Sequence, residues 1–292
     1  MKVLLVSFVY PIIKLFLIDF FNSLNNQTIK EFDTLIFDDK LNENLKKYGY
    51  FGEIIKNETN LSIAGVRKFI INYAIKMKYD LLVFCDADDV MENNRIEKII
   101  EEYKKTNGEF GFYYNDLYLL EGNKDFYNGK LIEKVNSLEE LKNYNFLGMS
   151  HTSINLNKTK NIWNDFIIDD NIIAFDWYMH SYLIYRGYKG KKVDTKTYYR
   201  IYENNIAGNT NILNDKKLKM GLKVKKEHYK IMMTIDYKFQ KMFQDILKLE
   251  KKLKKISYKN KYIKHINKFY SDSIYWWENI KSLDEIGGEL DD

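Results

Sequence analysis

Apolar and polar residues alternate along the first hundred residues in segments of two kinds. Short runs rich in Val, Leu, Ile and Phe are separated by longer stretches in which apolar residues recur with helical spacing. The short runs predict buried strands and the longer stretches predict amphipathic helices. Predicted strands cover residues 3–9, 34–37, 53–56 and 81–85, and predicted helices cover residues 12–25 and 61–78. Such alternation is typical of an α/β fold with a mostly parallel central sheet.

The second hundred residues predict additional strands and fewer helices. A helix over residues 93–105 is expected to end near Asn107 and Gly108, a common C-cap pair. Ser137 and Glu140 form a capping box for a short helix. Further strands are predicted at 110–114, 151–155 and 197–202, with a helix at 175–186. These elements would complete the substrate-facing half of the same domain.

The pattern is helical from residue 214 onwards. Apolar residues follow alternating steps of four and three, which predicts one amphipathic helix with a heptad seam. The seam consists of Ile235, Phe239, Met242, Ile246, Leu249, Leu253 and Ile256. Such a helix can pack on the body of the protein or on a partner helix, including that of a second copy. Its Lys-rich flanks also suit an anionic membrane surface.

Composition and charge divide the chain into a neutral body and a basic extension. The chain is 45% hydrophobic and 30% charged, which is typical of a globular protein. Residues 214–281 contain 19 Lys against 7 Asp or Glu, whereas the net charge of the whole chain is only +5. A body without net positive charge argues against nucleic acid as a partner. We therefore predict one domain at 1–213 and a helical extension at 214–292.

Cysteine usage and hydropathy bear on localisation. The single cysteine excludes an internal disulfide, and the apolar start of the chain lacks the features of a secretory leader. No uncharged run approaches the roughly 20 residues that a membrane-spanning helix needs. We expect a cytoplasmic protein, held at the inner face of the cell membrane if the basic extension binds lipid.

The most informative chemistry lies where the fourth predicted strand stops in a cluster of carboxylates. Asp86, Asp88 and Asp89 follow a buried apolar run, at the strand end where open α/β sheets bind ligands. Asp86 and Asp88 can share one hard divalent cation that bridges a substrate diphosphate. The alternative is that Asp88 or Asp89 caps a helix beginning near residue 91. Cys85, just before the cluster, reads as a small core residue.

Five segments in this order resemble an inverting glycosyltransferase of family 2 with the GT-A fold, over roughly residues 1–210. Each segment is common in proteins by itself, but the occurrence of all five in this order is specific to the family. The segments contain Gln27-Thr28 after the first helix, Asp38-Asp39 after the second strand, Asp86-Ala87-Asp88 preceded by Arg67, Phe175-Asp176-Trp177, and Tyr199-Arg200 followed by residues 201–208. The family often carries a His where Tyr202 stands, which puts any contact of that His in doubt.

The resemblance implies a nucleotide-sugar donor, UDP-linked, and Mn²⁺ or Mg²⁺ as cofactor. Asp88 would coordinate the cation directly, and Asp86 would hold the cation's water shell or the ribose. Asp38 and Asp39 would bind the base or ribose, with a solvated turn as the alternative. Arg67 would contact the diphosphate or the base, and an ordinary surface Arg is the alternative. Arg200 would contact the diphosphate, and a structural ion pair is the alternative.

The acceptor would be a hydroxyl of a glycan or of a lipid-linked sugar in surface polysaccharide synthesis. Asp176 is the predicted general base, with a helix cap as the alternative and Asp169 and Asp170 as rival bases. His151 lies in a small, polar segment and is either a substrate contact or a structural residue. Two other functions stay open: a sugar-phosphate nucleotidyltransferase, and a non-catalytic membrane-attached scaffold. The nucleotidyltransferase should carry a Gly-rich, basic loop after its first strand, which the sequence lacks.

Overall fold

A computed structural model of the chain describes residues 1–202, 212–288 and 290. These residues form two compact units. The first contains residues 1–140, 147–168 and 183–201, and the second contains residues 141–146, 169–182 and the described residues from 202 onwards. The predicted domain boundary at residue 213 stays a prediction.

A nine-stranded sheet forms the centre of the first unit in the described part of the chain. Its strands are β1 Val3–Val9, β2 Asp33–Asp38, β3 Glu53–Lys56, β4 Leu81–Phe84, β5 Val90–Met91, β6 Phe112–Leu119, β7 Lys134–Val135, β8 Thr152–Asn155 and β9 Gly190–Tyr199. The spatial order is β3-β2-β1-β4-β8-β6-β9-β5, and β7 pairs with β9. Six strands run in one direction, while β5, β7 and β8 run against them. The predicted mostly parallel α/β sheet is confirmed.

The parallel register brings several strand ends to one edge of the sheet. Val9 at the end of β1 pairs with Asp38 at the end of β2. Val6 of the same strand pairs with Phe84, the last residue of β4. β1 is buried along its whole length, as expected for the middle of a parallel sheet covered on both faces. The residues that follow β1, β2 and β4 therefore gather at one edge, where α/β sheets bind ligands.

In the described part of the first unit, three helices correspond to predicted ones, and a short fourth helix at Leu156–Thr159 was not predicted. They are α1 Leu17–Asn25, α2 Ile63–Lys76, α3 Arg95–Lys105 and α4 Leu156–Thr159. A 3-10 helix at Pro11–Phe16 precedes α1. The hydroxyl of Ser62 caps α2 by accepting a hydrogen bond of 3.1 Å from the amide of Gly65. The predicted capping box also forms, since the Glu140 carboxylate accepts from the amide of Ser137 at 3.0 Å.

The second unit is helical. It contains Phe175–Tyr182 of helix α5, which spans Phe175–Tyr185, and helices α6 Asp215–Met232, α7 Phe239–Leu253 and α8 Ile256–Phe269. Apolar residues of α6 and α7, including Met232, Ile246 and Leu249, are buried. Among the described residues, no helix is both long enough and apolar enough to cross a bilayer.

Three local predictions are wrong. The seam of residues 235–256 is not one helix: α7 ends at Leu253, Lys255 is extended with ψ 115°, and Ile256 is 70% exposed. Strand β9 begins at Gly190 rather than at residue 197, and ends at Tyr199. The helix after the acidic cluster begins at Arg95, so Asp88 and Asp89 do not cap it; a short strand, β5, comes first because Val90 and Met91 pair with β9.

Candidate active site

The three carboxylates after β4 converge on one point of the sheet edge. The carbonyl of Asp86 accepts a hydrogen bond of 3.1 Å from the amide of Asp89, which closes a turn. The hydroxyl of Ser150 accepts from the amide of Asp86 at 3.1 Å and holds the start of this turn. One carboxylate oxygen each from Asp86, Asp88 and Asp89 lies within 4.8 Å of the other two. We call residues 86–89 the acidic turn.

Asp89 is the buried member of the acidic turn, at 1% exposure. Its Oδ1 accepts a hydrogen bond of 2.9 Å from the backbone amide of Arg200. Its Oδ2 is buried and has no hydrogen-bond partner among the described residues. Burial raises the pKa of the Asp89 carboxyl well above its ordinary value, and the neighbouring charges of Asp88 and Asp86 raise it further. The turn therefore concentrates negative charge that a cation would relieve.

A buried cation, Arg95, lies behind the acidic turn. Its guanidinium donates to the carbonyl of Phe84 at 2.8 Å and to Oδ1 of Asn115 at 2.9 Å. Its Nη1 is buried without a hydrogen-bond partner among the described residues. Burial lowers the pKa of Arg95, whereas the charges of Asp89 and Asp86 favour its charged form. Arg95 thus fixes the last residue of β4 and offsets part of the negative charge in front of it.

Arg200 joins three parts of this sheet edge. Its Nε donates to the backbone carbonyl of Asp88 at 2.9 Å, and its guanidinium forms a 2.7 Å ion pair with Asp19 of α1. The guanidinium carbon also lies 4.6 Å from the ring centroid of Phe16. Arg200 is therefore placed beside the acidic turn, and the ion pair expected as its structural alternative is present too.

The predicted nucleotide residues Asp38 and Asp39 lie at the end of β2, which is separated from β4 by β1. The buried Asp38 carboxylate accepts from the amides of Leu41 at 2.7 Å and Asn42 at 3.1 Å, which shapes a turn. Asn42 has a left-handed φ of 54° within that turn. Asp39 is half-buried and accepts from the side-chain amide of Asn57 at 2.9 Å. Asp38 thus builds the loop, and Asp39 is the more accessible of the pair.

Arg67 lies on α2 and covers an aromatic ring of β1. Its guanidinium carbon is 3.3 Å from the ring centroid of Phe8. A planar guanidinium stacks favourably on an aromatic face. The structure thus places Arg67 over the first strand.

Asp176 belongs to the helical unit, in the first turn of α5. Its Oδ1 accepts a hydrogen bond of 2.8 Å from the amide of Trp177, and its Oδ2 accepts from the side-chain amide of Asn145 at 3.2 Å. The Trp177 ring is fully buried and stacks on His228 at 3.8 Å between centroids. Asp176 therefore combines a local contact at the helix start with a contact from a separate segment.

Three further predictions concern His151, Tyr202 and Asp169. His151 is buried at 1% exposure, with its ring centroid 6.2 Å from that of Tyr127, and its role stays a prediction. Tyr202 is half-buried in the second unit. The rest of the segment compared with the family, residues 203–208, lies outside the described residues. Asp169 accepts from the amide of Asn171 at 2.9 Å and pairs with Lys230 at 3.6 Å, and it remains a rival base by sequence only.

Sequence reasoning missed Arg95, Ser150 and Asn145. A signal existed for Arg95, since it precedes Ile99 by four residues and so lies on the buried face of α3. Ser150 and Asn145 carried no such signal, because each is defined by a partner distant in the chain.

The acidic turn suits a hard divalent cation. Its donors are carboxylate oxygens, which Mg²⁺ and Mn²⁺ prefer, and its charge is only partly offset by Arg95. Asp86 and Asp88 are half-buried, and Asp89 is buried.

The first unit thus combines a mostly parallel sheet with a cluster of carboxylates at the end of a central strand. The sequence profile described as "Glycosyl transferase family 2" matches residues 14–171, which are 158 of the 292 residues. The chain belongs to glycosyl transferase family 2. A search of curated protein sequences gives no match.

Solved structures confirm the GT-A type of fold. TarS 1-349 from S. aureus superposes with a TM-score of 0.56 at 13% identity, over 84% of this chain and 71% of that chain. Its complex with UDP-GlcNAc gives a TM-score of 0.54 at 13% identity, over 84% and 72%. The mannosyltransferase PcManGT from Pyrobaculum calidifontis, in complex with GDP-Man and Mn²⁺, gives 0.53 at 9% identity, over 80% and 64%. At these identities the likeness concerns the fold.

Proposed function

We propose that the protein is an inverting, metal-dependent glycosyltransferase with a UDP-linked sugar as donor. The acceptor is a hydroxyl of a glycan or a lipid-linked sugar in surface polysaccharide synthesis. The observation that carries the proposal is the acidic turn, in which three carboxylates lie within 4.8 Å at the end of β4. Two fold relatives support the ligand class, since their structures contain UDP-GlcNAc in one case and GDP-Man with Mn²⁺ in the other.

Asp88 and Asp86 hold the divalent cation in this proposal. The bound cation supplies Lewis-acid stabilisation of the departing diphosphate. Arg200 and Arg67 neutralise the remaining phosphate charge, because a guanidinium matches phosphate oxygens in a bidentate manner. Arg95 stays behind the turn and preserves its shape.

The nucleoside binds beside β2. Asp39 accepts hydrogen bonds from the base or the ribose, while Asp38 keeps the adjoining loop closed through the amides of Leu41 and Asn42. This division of work follows from their burial, since Asp38 is buried and Asp39 is half-buried.

Asp176 accepts the proton of the acceptor hydroxyl. The acceptor oxygen then forms its bond to the anomeric carbon as the bond to the diphosphate breaks. A single displacement of this kind inverts the anomeric centre, so the protein needs no nucleophile of its own. A general base of this type contributes about 10²- to 10⁴-fold to the rate.

The test is a screen of nucleotide sugars for release of the nucleoside diphosphate, with and without Mn²⁺ or Mg²⁺. We expect metal-dependent turnover with at least one UDP-sugar, and a loss of at least about 100-fold in Asp88→Asn and Asp176→Asn. Asp194→Asn is the matched control, because this exposed carboxylate of β9 lies in none of the proposed contacts. Wild-type rates in both site variants would refute the assignment. Pyrophosphate release from UTP and a sugar 1-phosphate would identify a nucleotidyltransferase instead.

The lysines of the C-terminal helices support peripheral binding to an anionic membrane. Lys251, Lys254 and Lys255 are exposed where α7 gives way to α8. Their replacement by Glu should abolish co-sedimentation with phosphatidylserine vesicles at low salt. Replacement of the exposed Lys76, Lys104 and Lys105 by Glu changes the net charge equally and should have little effect. Equal loss in both triple variants would argue against a local binding surface.

The apolar seam bears on self-association. Ile246, Leu249 and Leu253 are buried within the described structure, so a homo-oligomer through the seam would use its half-buried residues, such as Met242. Sedimentation of wild type and Met242→Glu over a range of concentrations tests this mode of association.

A further inference from the structure

The side chain of Asn145 contacts the proposed general base, and the backbone of Asn145 contacts a short segment around Trp276. We infer that Asn145 is a positioning residue for Asp176, and that residues 273–278 hold Asn145 in place. The inference rests on the proposed function, because it assigns a role to Asn145 in the reaction proposed for Asp176. All the contacts that carry it lie within the second unit.

Asn145 is buried at 1% exposure, and its side-chain amide contacts the carboxylate of Asp176. Its Nδ2 donates to Oδ2 of Asp176 at 3.2 Å, while the amide of Trp177 donates to Oδ1 at 2.8 Å. The two donors reach different oxygens from different segments of the chain. A carboxylate held through both oxygens has a defined plane, and this is what directed proton acceptance requires.

The backbone of Asn145 is fixed in turn by Trp276. The amide of Asn145 donates to the carbonyl of Trp276 at 3.0 Å, and the amide of Trp276 donates back to the carbonyl of Asn145 at 2.9 Å. This pair forms an isolated antiparallel bridge. Both residues are buried, so the bonds are shielded from competing water. The position of the Asn145 side chain is therefore set by a residue 131 places later in the chain.

Residues 273–278 have further contacts that hold Trp276, and so the bridge between Asn145 and Trp276, in place. The Glu278 carboxylate accepts from the amides of Ile274 at 2.9 Å and Tyr275 at 3.1 Å. The ring of Tyr275 stacks on Tyr144 with centroids 4.9 Å apart. Trp277 adopts a left-handed φ of 68°, a strained conformation for a bulky residue that persists only where its surroundings enforce it.

The arrangement has a chemical consequence. Hydrogen-bond donation to a carboxylate stabilises its charged form, so the amide of Asn145 keeps Asp176 ready to accept a proton. His180 lies near Asp176, with its Nδ1 2.8 Å from the Asp176 carbonyl. Tyr275, the residue before Trp276, has its pKa raised to about 12 by burial. His228, stacked on Trp177, has its pKa lowered by burial and stays neutral. The C-terminal segment would thus serve catalysis and not only attachment.

Kinetics as a function of pH distinguish this role from a purely structural one. Asn145→Ala removes one donor, so the acidic limb of the pH profile for UDP release should move up by about one pH unit. Asn145→Asp preserves size but places a second carboxyl beside Asp176, and should move the limb further in the same direction. Asn143→Ala, a half-buried neighbour in the same segment, is the control and should not move it. Because Asn145→Asp is nearly isosteric, it keeps the test valid if Asn145→Ala does not fold.

The assay uses UDP-GlcNAc with Mn²⁺ and water as acceptor. A rate loss in both Asn145 variants that is equal at all pH values would overturn the inference. If the wild type turns over no nucleotide sugar, the proposed function fails, and the catalytic role of Asn145 fails with it.

A spectroscopic measurement separates these two failures. The side-chain amide of Asn145 should give a ¹H–¹⁵N resonance, identified by its absence in Asn145→Ala, that changes with pH and loses that dependence in Asp176→Asn. A resonance indifferent to Asp176→Asn would overturn the inference even in an active enzyme.

Discussion

The backbone amide of Arg200 donates a hydrogen bond of 2.9 Å to the carboxylate of Asp89, 111 residues earlier in the chain. The same arginine donates from Nε to the carbonyl of Asp88 at 2.9 Å. The end of β9 is thereby attached to the acidic turn by two bonds. A change at Arg200 is therefore expected to affect the geometry of the turn as well as its charge.

Arg200→Gln should raise the KM for the nucleotide sugar about tenfold, because hydrogen bonds to charged groups contribute roughly 1.5 kcal/mol or more. Asp19→Asn removes only an exposed ion pair and should change the free energy of unfolding by less than about 1 kcal/mol, with little effect on KM. Steady-state kinetics and urea denaturation of both variants supply the comparison. An unchanged KM with reduced stability in Arg200→Gln would identify a purely structural arginine.

Asp89→Asn should stabilise the metal-free protein at neutral pH. The raised pKa of Asp89 means that the folded state binds its proton more tightly than the unfolded state does. The contribution of the Asp89 proton to the free energy of unfolding is therefore fully present below the ordinary pKa of 3.8. It is lost as pH rises through the raised pKa of the folded state. The variant avoids this loss and retains an oxygen for the Arg200 amide. Urea midpoints in EDTA should differ at pH 7 and converge near pH 4; a gap independent of pH would contradict the argument.

Arg95→Met should destabilise the protein by about 3 kcal/mol or more, since it leaves the Phe84 carbonyl and the neighbouring buried acid without their cation. Lys98→Met on the same helix is the control, because Lys98 forms an exposed pair with Glu101. Its effect should stay below about 1 kcal/mol. Equal losses in the two variants, measured by urea denaturation, would show that the burial of Arg95 has no special cost.

Lys225→Met tests the electrostatics of the helical unit. Lys225 is buried, donates to the carbonyl of Ile280 at 2.5 Å, and has its pKa lowered from 10.5 to about 8 by burial. Below pH 8 the folded state must bury a charge, whereas between pH 8 and 10.5 the folded state has lost that proton and the unfolded state has kept it. Wild-type stability should therefore rise relative to the variant by about 3 kcal/mol across this window. A constant difference between pH 7 and 10 would show that buried Lys225 keeps its proton over this range, and so that burial does not lower its pKa.

The pattern of apolar and polar residues predicted those strands and helices that are bounded by turns in the sequence itself. The strands at residues 3–9 and 53–56 coincide with β1 and β3, because their runs are short and bounded by turns. The short strand β5 was not predicted, since it forms only through pairing with β9. The polar sequence after Gly190 concealed the first half of β9, whose β6 partner lies some 80 residues earlier.

In the candidate site, too, the residues marked by local sequence could be predicted, whereas contacts with distant parts of the chain could not. Asp86 and Asp88 were recognisable from an apolar run that ends in acids, and the structure brings them together. The environment of Asp89 was not recognisable, because its burial and its bond to Arg200 depend on a distant strand. The prediction of one continuous helix through residue 256 was wrong because heptad spacing alone does not reveal an extended residue, such as Lys255, between two helices.

The thiol of Cys85 can be used to measure opening of the sheet edge next to the acidic turn. It is the only cysteine in the chain, lies one residue before the acidic turn, and is buried at 1% exposure with its pKa raised to about 12. A disulfide reagent can therefore react with it only after the end of β4 opens. The labelling rate of the unmodified protein, without denaturant, would measure how often this edge of the sheet opens, and would show whether a nucleotide sugar or a cation keeps it closed.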